Sequence, residues 1–200
     1  MTEAEKHILK AEPRFKSLID RFGPCELIHP LRGANVYESL MSSILYQQLS
    51  TKAASTIKGR LYDLFPTHSA PPPSGILALT LEELRAVGVS RQKAGYLQDL
   101  ASKADTIPTI EELDSMSDED IIQRLIPIKG IGRWSVEMLL MFTFGRMDVL
   151  PVDDMGVQEG MKRILNLEAR PKKKEMEALA EPWRPYRSVA SWYLWRALEN

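Results

Sequence analysis

The sequence predicts an all-α fold, and two observations carry that prediction. Apolar residues recur at the spacing of an amphipathic helix in one segment after another, as at Phe15, Leu18 and Phe22. Several of these segments begin with a helix-capping signal, as where Thr80 is followed three residues later by Glu83, the pattern of a capping box. No segment shows a convincing alternation of polar and apolar residues, so we expect no β-sheet.

These signals predict about ten short helices. A proline-rich loop at 66–75 is the clearest break between them. In chain order the expected helical segments are about 13–22, 35–48, 52–65, 80–88, 91–104, a helix opened by Thr109, 117–125, 133–144, 154–165, a solvated helix start at 172–174, and 185–198.

Composition fits a globular protein and excludes several classes of site. The 200 residues are 44% hydrophobic and 26% charged, and no apolar run approaches the ~20 residues of a membrane span. The single cysteine, Cys25, excludes an internal disulfide and a four-cysteine iron–sulfur cluster. His7, His29 and His68 show no metal-ligand spacing. The polar start is not that of a signal peptide, so we expect an intracellular protein, nuclear in a eukaryote and cytoplasmic or nucleoid-associated in a prokaryote.

The stretch Lys129-Gly130-Ile131-Gly132 has the form of a tight glycine hairpin before an apolar helix. Glycine accepts positive φ without steric cost, so two glycines in four residues let the backbone turn back sharply. The following helix then exposes N–H groups at the positive end of its dipole, which suits a phosphate oxygen. Arg133 adds a second cation beside Lys129. An ordinary corner between two helices would have the same spacing, and the hairpin alone leaves both readings open. The net charge of −1 requires that any DNA-binding cations be concentrated on one face.

Four blocks, in this order, carry a resemblance to a known family: YESLMSSILYQQLSTKAA at 37–54, VGVSRQKAGYLQDLA at 87–101, IPIKGIGRWSVEMLLMF at 126–142 with DVLPVDDMGV at 148–157, and WRPYRSVASWYLWRAL at 183–198. The chain resembles the helix-hairpin-helix, Gly-Pro-Asp superfamily of DNA base-excision glycosylases. Within it, the sequence is most similar to the 3-methyladenine DNA glycosylase II, or alkylpurine DNA glycosylase, family.

The resemblance implies a single glycosylase unit of two helical lobes with a cleft between them. One lobe would comprise about 36–143, including the hairpin at 127–133. The other would comprise about 1–35 together with 144–200.

The resemblance also implies a catalytic aspartate at Asp154. Alignment through the following Met155-Gly156-Val157 favours Asp154 over its neighbour Asp153. A carboxylate there would stabilise the positive charge that develops on the sugar as an N-glycosidic bond breaks. Aspartate is also a common helix N-cap, and we expect Asp153 to be the cap while Asp154 projects towards the substrate.

Relatives that also cut the DNA backbone place a nucleophilic lysine just after the hairpin. The aligned position here is Trp134, and 135–141 contains no lysine, so the resemblance implies a monofunctional enzyme. A cationic alkylated purine is attracted to aromatic faces. The residues expected to form the base pocket are Trp134, Trp195, Tyr46 and, where some members have another aromatic, Met138.

The remaining expected contacts also come from the resemblance. Gln48 aligns with the residue that intercalates into DNA, and Leu49 and Ser50 share its tip. Phosphate contacts are expected from the hairpin and from the helix start at Ser90 and Lys93. No cofactor is expected for the chemistry. Carbonyls of Ile128, Gly130 and Ile131 are expected to hold a monovalent cation, Na⁺ or K⁺.

The sequence therefore predicts a monomeric base-excision repair enzyme that removes alkylated purines, such as 3-methyladenine and 7-methylguanine, from duplex DNA. Two alternatives stay open: a DNA-binding homologue with little or no activity, and a glycosylase for a deaminated or ethenoadduct base. No membrane partner is expected.

Overall fold

A computed structural model of the chain describes residues 1–28, 35–66 and 70–199. Over these ranges the regular secondary structure is helical and no strand is present, which confirms the all-α prediction. His29 and His68 lie outside the described residues. No helix in the described part of the chain is long and apolar enough to cross a membrane.

The α-helices of the described residues are, in chain order, α1 (Glu3–Ala11), α2 (Lys16–Phe22), α3 (Val36–Tyr46), α4 (Thr51–Tyr62), α5 (Pro73–Ala78), α6 (Leu81–Ala86), α7 (Arg91–Ser102), α8 (Ile110–Asp114), α9 (Asp118–Leu125), α10 (Arg133–Phe142), α11 (Met155–Leu165), α12 (Lys173–Ala180) and α13 (Arg187–Arg196). Short 3₁₀ turns occupy Pro13–Phe15, Glu26–Ile28, Ala104–Thr106 and Glu181–Trp183.

Two of these helices were not predicted. Helix α1 lies in the polar start of the chain, where a capping box joins Thr2 and Glu5 and the face carrying Ala4 and Ile8 is buried. Helix α5 lies in the proline-rich stretch that was expected to be a loop. Its first residue is Pro73. Proline is suited to the first helical turn because an N–H group at that position would have no partner inside the helix.

The chain forms two compact units: Met1–Arg32 with Leu140–Asn200, and Gly33–Leu139. We call them the terminal unit and the middle unit.

Helix α13 is the centre of the terminal unit. Its residues from Ser188 to Leu194 are all buried, including the aromatic side chains of Trp192 and Tyr193. Helix α11 crosses it closely at Gly160, where a Cβ atom would lie 2.2 Å from the Leu194 carbonyl oxygen. A larger residue at Gly160 would therefore push the two helices apart.

Helix α7 is the corresponding centre of the middle unit. It packs against α3, α5 and α6. Apolar side chains on its inner face, such as Ala94 and Leu97, are buried together with Leu40 and Ile44 of α3. The two predicted DNA-contacting tips, just before α4 and just before α7, are thus attached to helices with a shared core.

A fully buried carboxylate, Glu5, joins α1 to the core of the terminal unit. Its Oε1 accepts hydrogen bonds from the Cys25 N–H at 2.9 Å and from the Tyr193 hydroxyl at 3.0 Å, and its Oε2 accepts one from the Thr2 N–H at 2.6 Å. Burial by itself would raise the pKa of Glu5, but the hydrogen bonds from Thr2, Cys25 and Tyr193 outweigh it and the pKa is lowered.

We predict that Glu5→Gln lowers the free energy of unfolding by about 1–3 kcal/mol at pH 7. Both carboxylate oxygens of Glu5 accept hydrogen bonds, whereas the NH₂ group of a glutamine would face one of these donors and could not accept from it. The pKa of Glu5 is lower in the folded than in the unfolded protein. The ionised Glu5 carboxylate therefore stabilises the fold above the unfolded carboxyl pKa of about 4.3, and this stabilisation is lost as pH falls through the folded pKa. Urea denaturation at pH 7 and in acid measures both effects. Glu3→Gln, at an exposed position of the same helical turn, is the control. Equal losses in the two variants, or a Glu5→Gln loss that does not shrink in acid, would contradict this account.

Candidate functional site

Asp154 is the N-cap of helix α11, and two donors converge on one of its oxygens. Its Oδ1 accepts a hydrogen bond from the Val157 backbone N–H at 2.7 Å and another from the Trp195 indole Nε1–H at 2.8 Å. The carboxylate also lies at the N-terminus of α11, where the helix leaves backbone N–H groups without partners inside it. Asp154 is therefore fixed in orientation by its own helix and by a side chain from α13.

This arrangement corrects the expected division between the two acids. Asp154, not Asp153, is the helix cap, because Asp154 has the extended backbone that directly precedes α11. Asp153 is exposed, and its carboxylate forms a salt bridge with Lys173, with the nearest oxygen 2.6 Å from Nζ. Adjacent residues of the same type therefore occupy clearly different environments.

Trp195 and Phe142 form an aromatic pair in the terminal unit. Their ring centroids are 5.8 Å apart and the ring planes are inclined by 21°, a stacked arrangement. Phe142 is 43% exposed and Trp195 is half-buried, so an apolar surface accompanies the carboxylate. Sequence reasoning did not single out Phe142, because an aromatic residue near the end of an apolar helix is indistinguishable from a core residue.

Gly156 allows Trp195 to reach Asp154. A Cβ atom at Gly156 would lie 2.8 Å from Trp195 Cδ1 and 3.0 Å from Asp154 Oδ1. Any side chain at this position would have to displace the indole or the carboxylate. Gly156 is therefore a steric requirement of the contact.

The segment before Asp154 is held by the start of α13. Asp148 accepts hydrogen bonds from Arg187 Nε and Arg184 Nη1, each at 2.6 Å. The Ser188 hydroxyl donates to the Arg146 carbonyl at 2.6 Å and accepts from the Val149 N–H at 2.9 Å. These contacts fix the segment that leads to Asp154 at the same helix that carries Trp195.

The predicted hairpin lies in the middle unit, and one of its two glycines, Gly130, has the expected positive φ. Gly130 has φ +82°, and a Cβ atom there would lie within 2.2 Å of the Tyr96 ring. The Lys129 backbone N–H donates to Asp99 Oδ2 at 2.9 Å, and Lys103 Nζ lies 2.7 Å from the same oxygen. Partial burial raises the pKa of Asp99, but its hydrogen bonds and charges from Lys103 and Lys129 outweigh this and lower it.

The cations of the hairpin have acidic neighbours. Arg133 Nη2 lies 2.8 and 2.7 Å from the two Glu119 carboxylate oxygens, and Lys129 Nζ lies 3.7 Å from Asp99 Oδ1. The Lys129 side chain is nevertheless 74% exposed and that of Arg133 42% exposed. A phosphate could reach both cations only in competition with these carboxylates.

The predicted intercalating tip precedes α4. Gln48 is exposed and has φ +57°, Leu49 is 42% exposed, and the Ser50 hydroxyl caps α4 by accepting from the Ala53 N–H at 3.3 Å. Ser90 caps α7 in the same way through the Lys93 N–H, also at 3.3 Å. A cavity of about 190 Å³ lies between the two tips.

Lys93 lies at the second tip, but its ammonium is directed into the middle unit. It donates to the carbonyls of Leu45 and Gln47, each at 2.7 Å, and burial lowers the pKa of Lys93. The predicted phosphate contact from Lys93 stays a prediction.

The other expected pocket residues also lie in the middle unit. Trp134 and Tyr46 are each 37% exposed, and Met138 is half-buried one turn after Trp134 on α10. Residues four apart share a helix face, so Trp134 and Met138 line the same side of α10. In the described ranges no group of three His, Cys, Asp or Glu side chains could hold a metal ion.

Residues 41–185 match the family described as HhH-GPD superfamily base excision DNA repair protein. The chain belongs to the HhH-GPD superfamily. Two similar proteins come from Schizosaccharomyces pombe. The alkylbase DNA glycosidase-like protein mag2 is 35% identical, with 96% of this chain and 92% of mag2 covered. DNA-3-methyladenine glycosylase 1 is also 35% identical, with 98% and 87% covered.

The fold of the chain is also similar to that of a solved glycosylase structure. The S. pombe 3-methyladenine DNA glycosylase in complex with abasic DNA matches with a TM-score of 0.87 and 36% identity, covering 98% of this chain and 96% of that one.

We predict that Gly156→Ala destabilises the terminal unit, because the added Cβ displaces Trp195 from Asp154. Gly59→Ala in α4 is the matched control, since no heavy atom lies within 4 Å of a Cβ atom there. Both changes gain up to about 1 kcal/mol of helix propensity. Overpacking should leave Gly156→Ala about 1–3 kcal/mol less stable than Gly59→Ala in urea denaturation. Equal stabilisation of the two variants would mean that the indole is not held where the structure places it.

Proposed function

We propose that the protein is a monofunctional DNA glycosylase that excises alkylated purines from duplex DNA in base excision repair. The observation that carries the proposal is the Asp154 carboxylate, fixed by Val157 and Trp195 beside the exposed Phe142 ring. The 35% identity to a DNA-3-methyladenine glycosylase over nearly the whole chain supports it.

In this proposal Asp154 acts on the sugar. The bond between C1′ and the base nitrogen breaks, its electron pair leaves with the base, and the sugar gains oxocarbenium character. The carboxylate stabilises that charge and orients a water molecule. The water oxygen bonds to C1′, its proton passes through the carboxylate to solvent, and the products are a free base and an abasic site.

The proposed substrate follows from the chemistry of the leaving group. Methylation at N3 or N7 makes a purine cationic, so the base departs as a neutral molecule and a positioned acid is not needed to protonate it. Aromatic faces attract the cationic base, and each such contact contributes about 0.5–2 kcal/mol. We assign this role to the stacked rings of Trp195 and Phe142. The pocket roles expected for Trp134, Tyr46 and Met138 stay predictions.

Duplex DNA is the proposed partner. The exposed Lys129 and Arg133 side chains and the N–H groups of Gly130 and Gly132 would contact phosphate, and Ser90 would add a contact at the start of α7. Gln48, with Leu49 and Ser50, would fill the gap left by the flipped nucleotide.

We also propose a monovalent cation at the hairpin carbonyls. The Gly130 carbonyl accepts from Gln47 Nε2 at 2.7 Å and the Ile128 carbonyl accepts from the Ile131 N–H at 3.0 Å. A carbonyl oxygen has two lone pairs, so each of these retains acceptor capacity for a cation. The cation would orient the hairpin and has no part in the chemical step.

Asp154→Asn should slow base release at least ~100-fold, because it removes the charge that stabilises the transition state. Chromatography of 3-methyladenine and 7-methylguanine released from methylated duplex DNA measures the rate. Affinity for a duplex with a tetrahydrofuran abasic analogue should be retained. Asp153→Asn is the matched control and should keep most of the activity, since it removes a surface salt bridge worth about 0–1 kcal/mol.

Two outcomes would overturn this assignment. Loss of DNA affinity in parallel with activity in Asp154→Asn would make the residue a structural cap only. Release of no alkylated base by the wild type, with tight binding to the abasic duplex, would favour a non-catalytic binder or another lesion.

The absence of lyase activity is tested on the same reaction. Trp134 occupies the position after the hairpin, and 135–141 contains no lysine. Borohydride should therefore trap no covalent adduct, and the DNA strand should stay intact until alkali is added. A trapped adduct would contradict the monofunctional assignment.

A further inference from the structure

Gln47 precedes the intercalating residue and contacts the hairpin. Its side-chain amide Nε2 donates to the Gly130 carbonyl at 2.7 Å and lies 3.5 Å from the Ser135 hydroxyl oxygen. Gly130 is 83 residues away along the chain. One side chain thus joins the tip at 46–50 to the hairpin at 127–133.

The backbone of the same tip is held from a third element. Lys93, on the first turn of α7, donates from Nζ to the carbonyls of Leu45 and Gln47, each at 2.7 Å. These carbonyls come at the end of α3, where the helix leaves carbonyl groups without partners inside it. The ammonium therefore fixes the backbone on which the Gln47 amide and the Gln48 side chain are mounted.

The tip has an unfavourable backbone conformation that these contacts hold. Gln48 has φ +57°, a region that residues with a Cβ atom adopt at a cost and retain only where their surroundings enforce it. The hairpin end of the link is independently fixed, because Gly130 lies against the Tyr96 ring and Lys129 donates to Asp99. The Gln47 amide therefore ties a strained tip to a rigid hairpin.

We propose that Gln47 is a positioning residue that couples the hairpin to the tip, so that the Gln48 side chain is pre-set for insertion when the hairpin binds the DNA backbone. This inference rests on the proposed function. It assigns to Gln47 and to the Lys93 ammonium a role in lesion recognition, whereas neither group itself needs to contact DNA.

The first test uses the free protein and needs no DNA. Gln47→Met keeps the side-chain length and removes the amide donor. Gln98→Met is the matched control, since Gln98 is another half-buried glutamine of the middle unit that donates to a backbone carbonyl, that of Leu79 at 3.4 Å. Hydrogen exchange in peptides covering 46–50 and 127–133 should quicken about 3- to 10-fold in Gln47→Met, the range expected for one lost hydrogen bond. It should be unchanged in Gln98→Met.

The second test measures lesion recognition by binding alone. The probes are an undamaged duplex and a duplex with a tetrahydrofuran abasic site beside 2-aminopurine, whose fluorescence reports unstacking. Gln47→Met should lose about 3- to 10-fold of the preference for the abasic duplex, together with the fluorescence change. Affinity for the undamaged duplex should stay within about twofold, because the phosphate contacts of the hairpin remain.

A double substitution separates coupling from general loosening. If Gln47 acts through Gln48, then adding Gln47→Met to Gln48→Ala should cost no further preference for the abasic duplex. Additive losses would overturn the proposal, as would unchanged exchange at 127–133 in the free protein. These results are distinct from failure of the proposed function, which would appear as absent base release by the wild type.

Discussion

The hydrogen bond between the Trp195 indole and the Asp154 carboxylate is the contact on which the candidate active site depends. Asp154 begins α11 and Trp195 belongs to the last turn of α13, so the bond fixes these two helices relative to each other. The close crossing at Gly160 and the absence of a side chain at Gly156 both serve this contact. A carboxylate with a fixed orientation can stabilise charge on a sugar without rearranging during the reaction, which is the condition for electrostatic catalysis.

The charge distribution of the middle unit explains how a chain with a net charge of −1 can be proposed to bind DNA. The exposed hairpin cations are close to Asp99 and Glu119, which reduces their field when no DNA is bound. Surface ion pairs of this kind contribute only about 0–1 kcal/mol, so a phosphate can replace the carboxylate as partner. Binding would then depend on local geometry at the hairpin more than on a strong overall positive potential.

Much of the fold followed from local signals in the sequence. Capping boxes at Thr80 and Thr109 and the cap at Ser90 placed helix starts correctly, because these interactions involve residues three apart in the chain. Helix α1 was missed although Thr2 and Glu5 form the same kind of local capping box, and its buried glutamate also depends on Tyr193, a partner 188 residues away. Local periodicity contains no information about such a partner.

The site residues show the same limit. The position of Asp154 relative to the hairpin and to Met155-Gly156-Val157 was enough to propose it as the catalytic aspartate. Its role as helix cap and its bond to Trp195, 41 residues away, could not be predicted, since both Asp153 and Asp154 are suitable caps by residue type. The stacking of Phe142 on Trp195 and the link from Gln47 to Gly130 likewise depend on tertiary packing between distant segments.

The most direct test of the proposed mechanism compares two abasic analogues that differ in charge. A pyrrolidine analogue carries a positive ring nitrogen and resembles the oxocarbenium-like transition state, whereas tetrahydrofuran is neutral. We predict that the wild type binds the pyrrolidine duplex at least ~10-fold more tightly than the tetrahydrofuran duplex, and that Asp154→Asn removes this preference. A preference that survives in Asp154→Asn, or none in the wild type, would contradict the claim that this carboxylate stabilises the charge on the sugar.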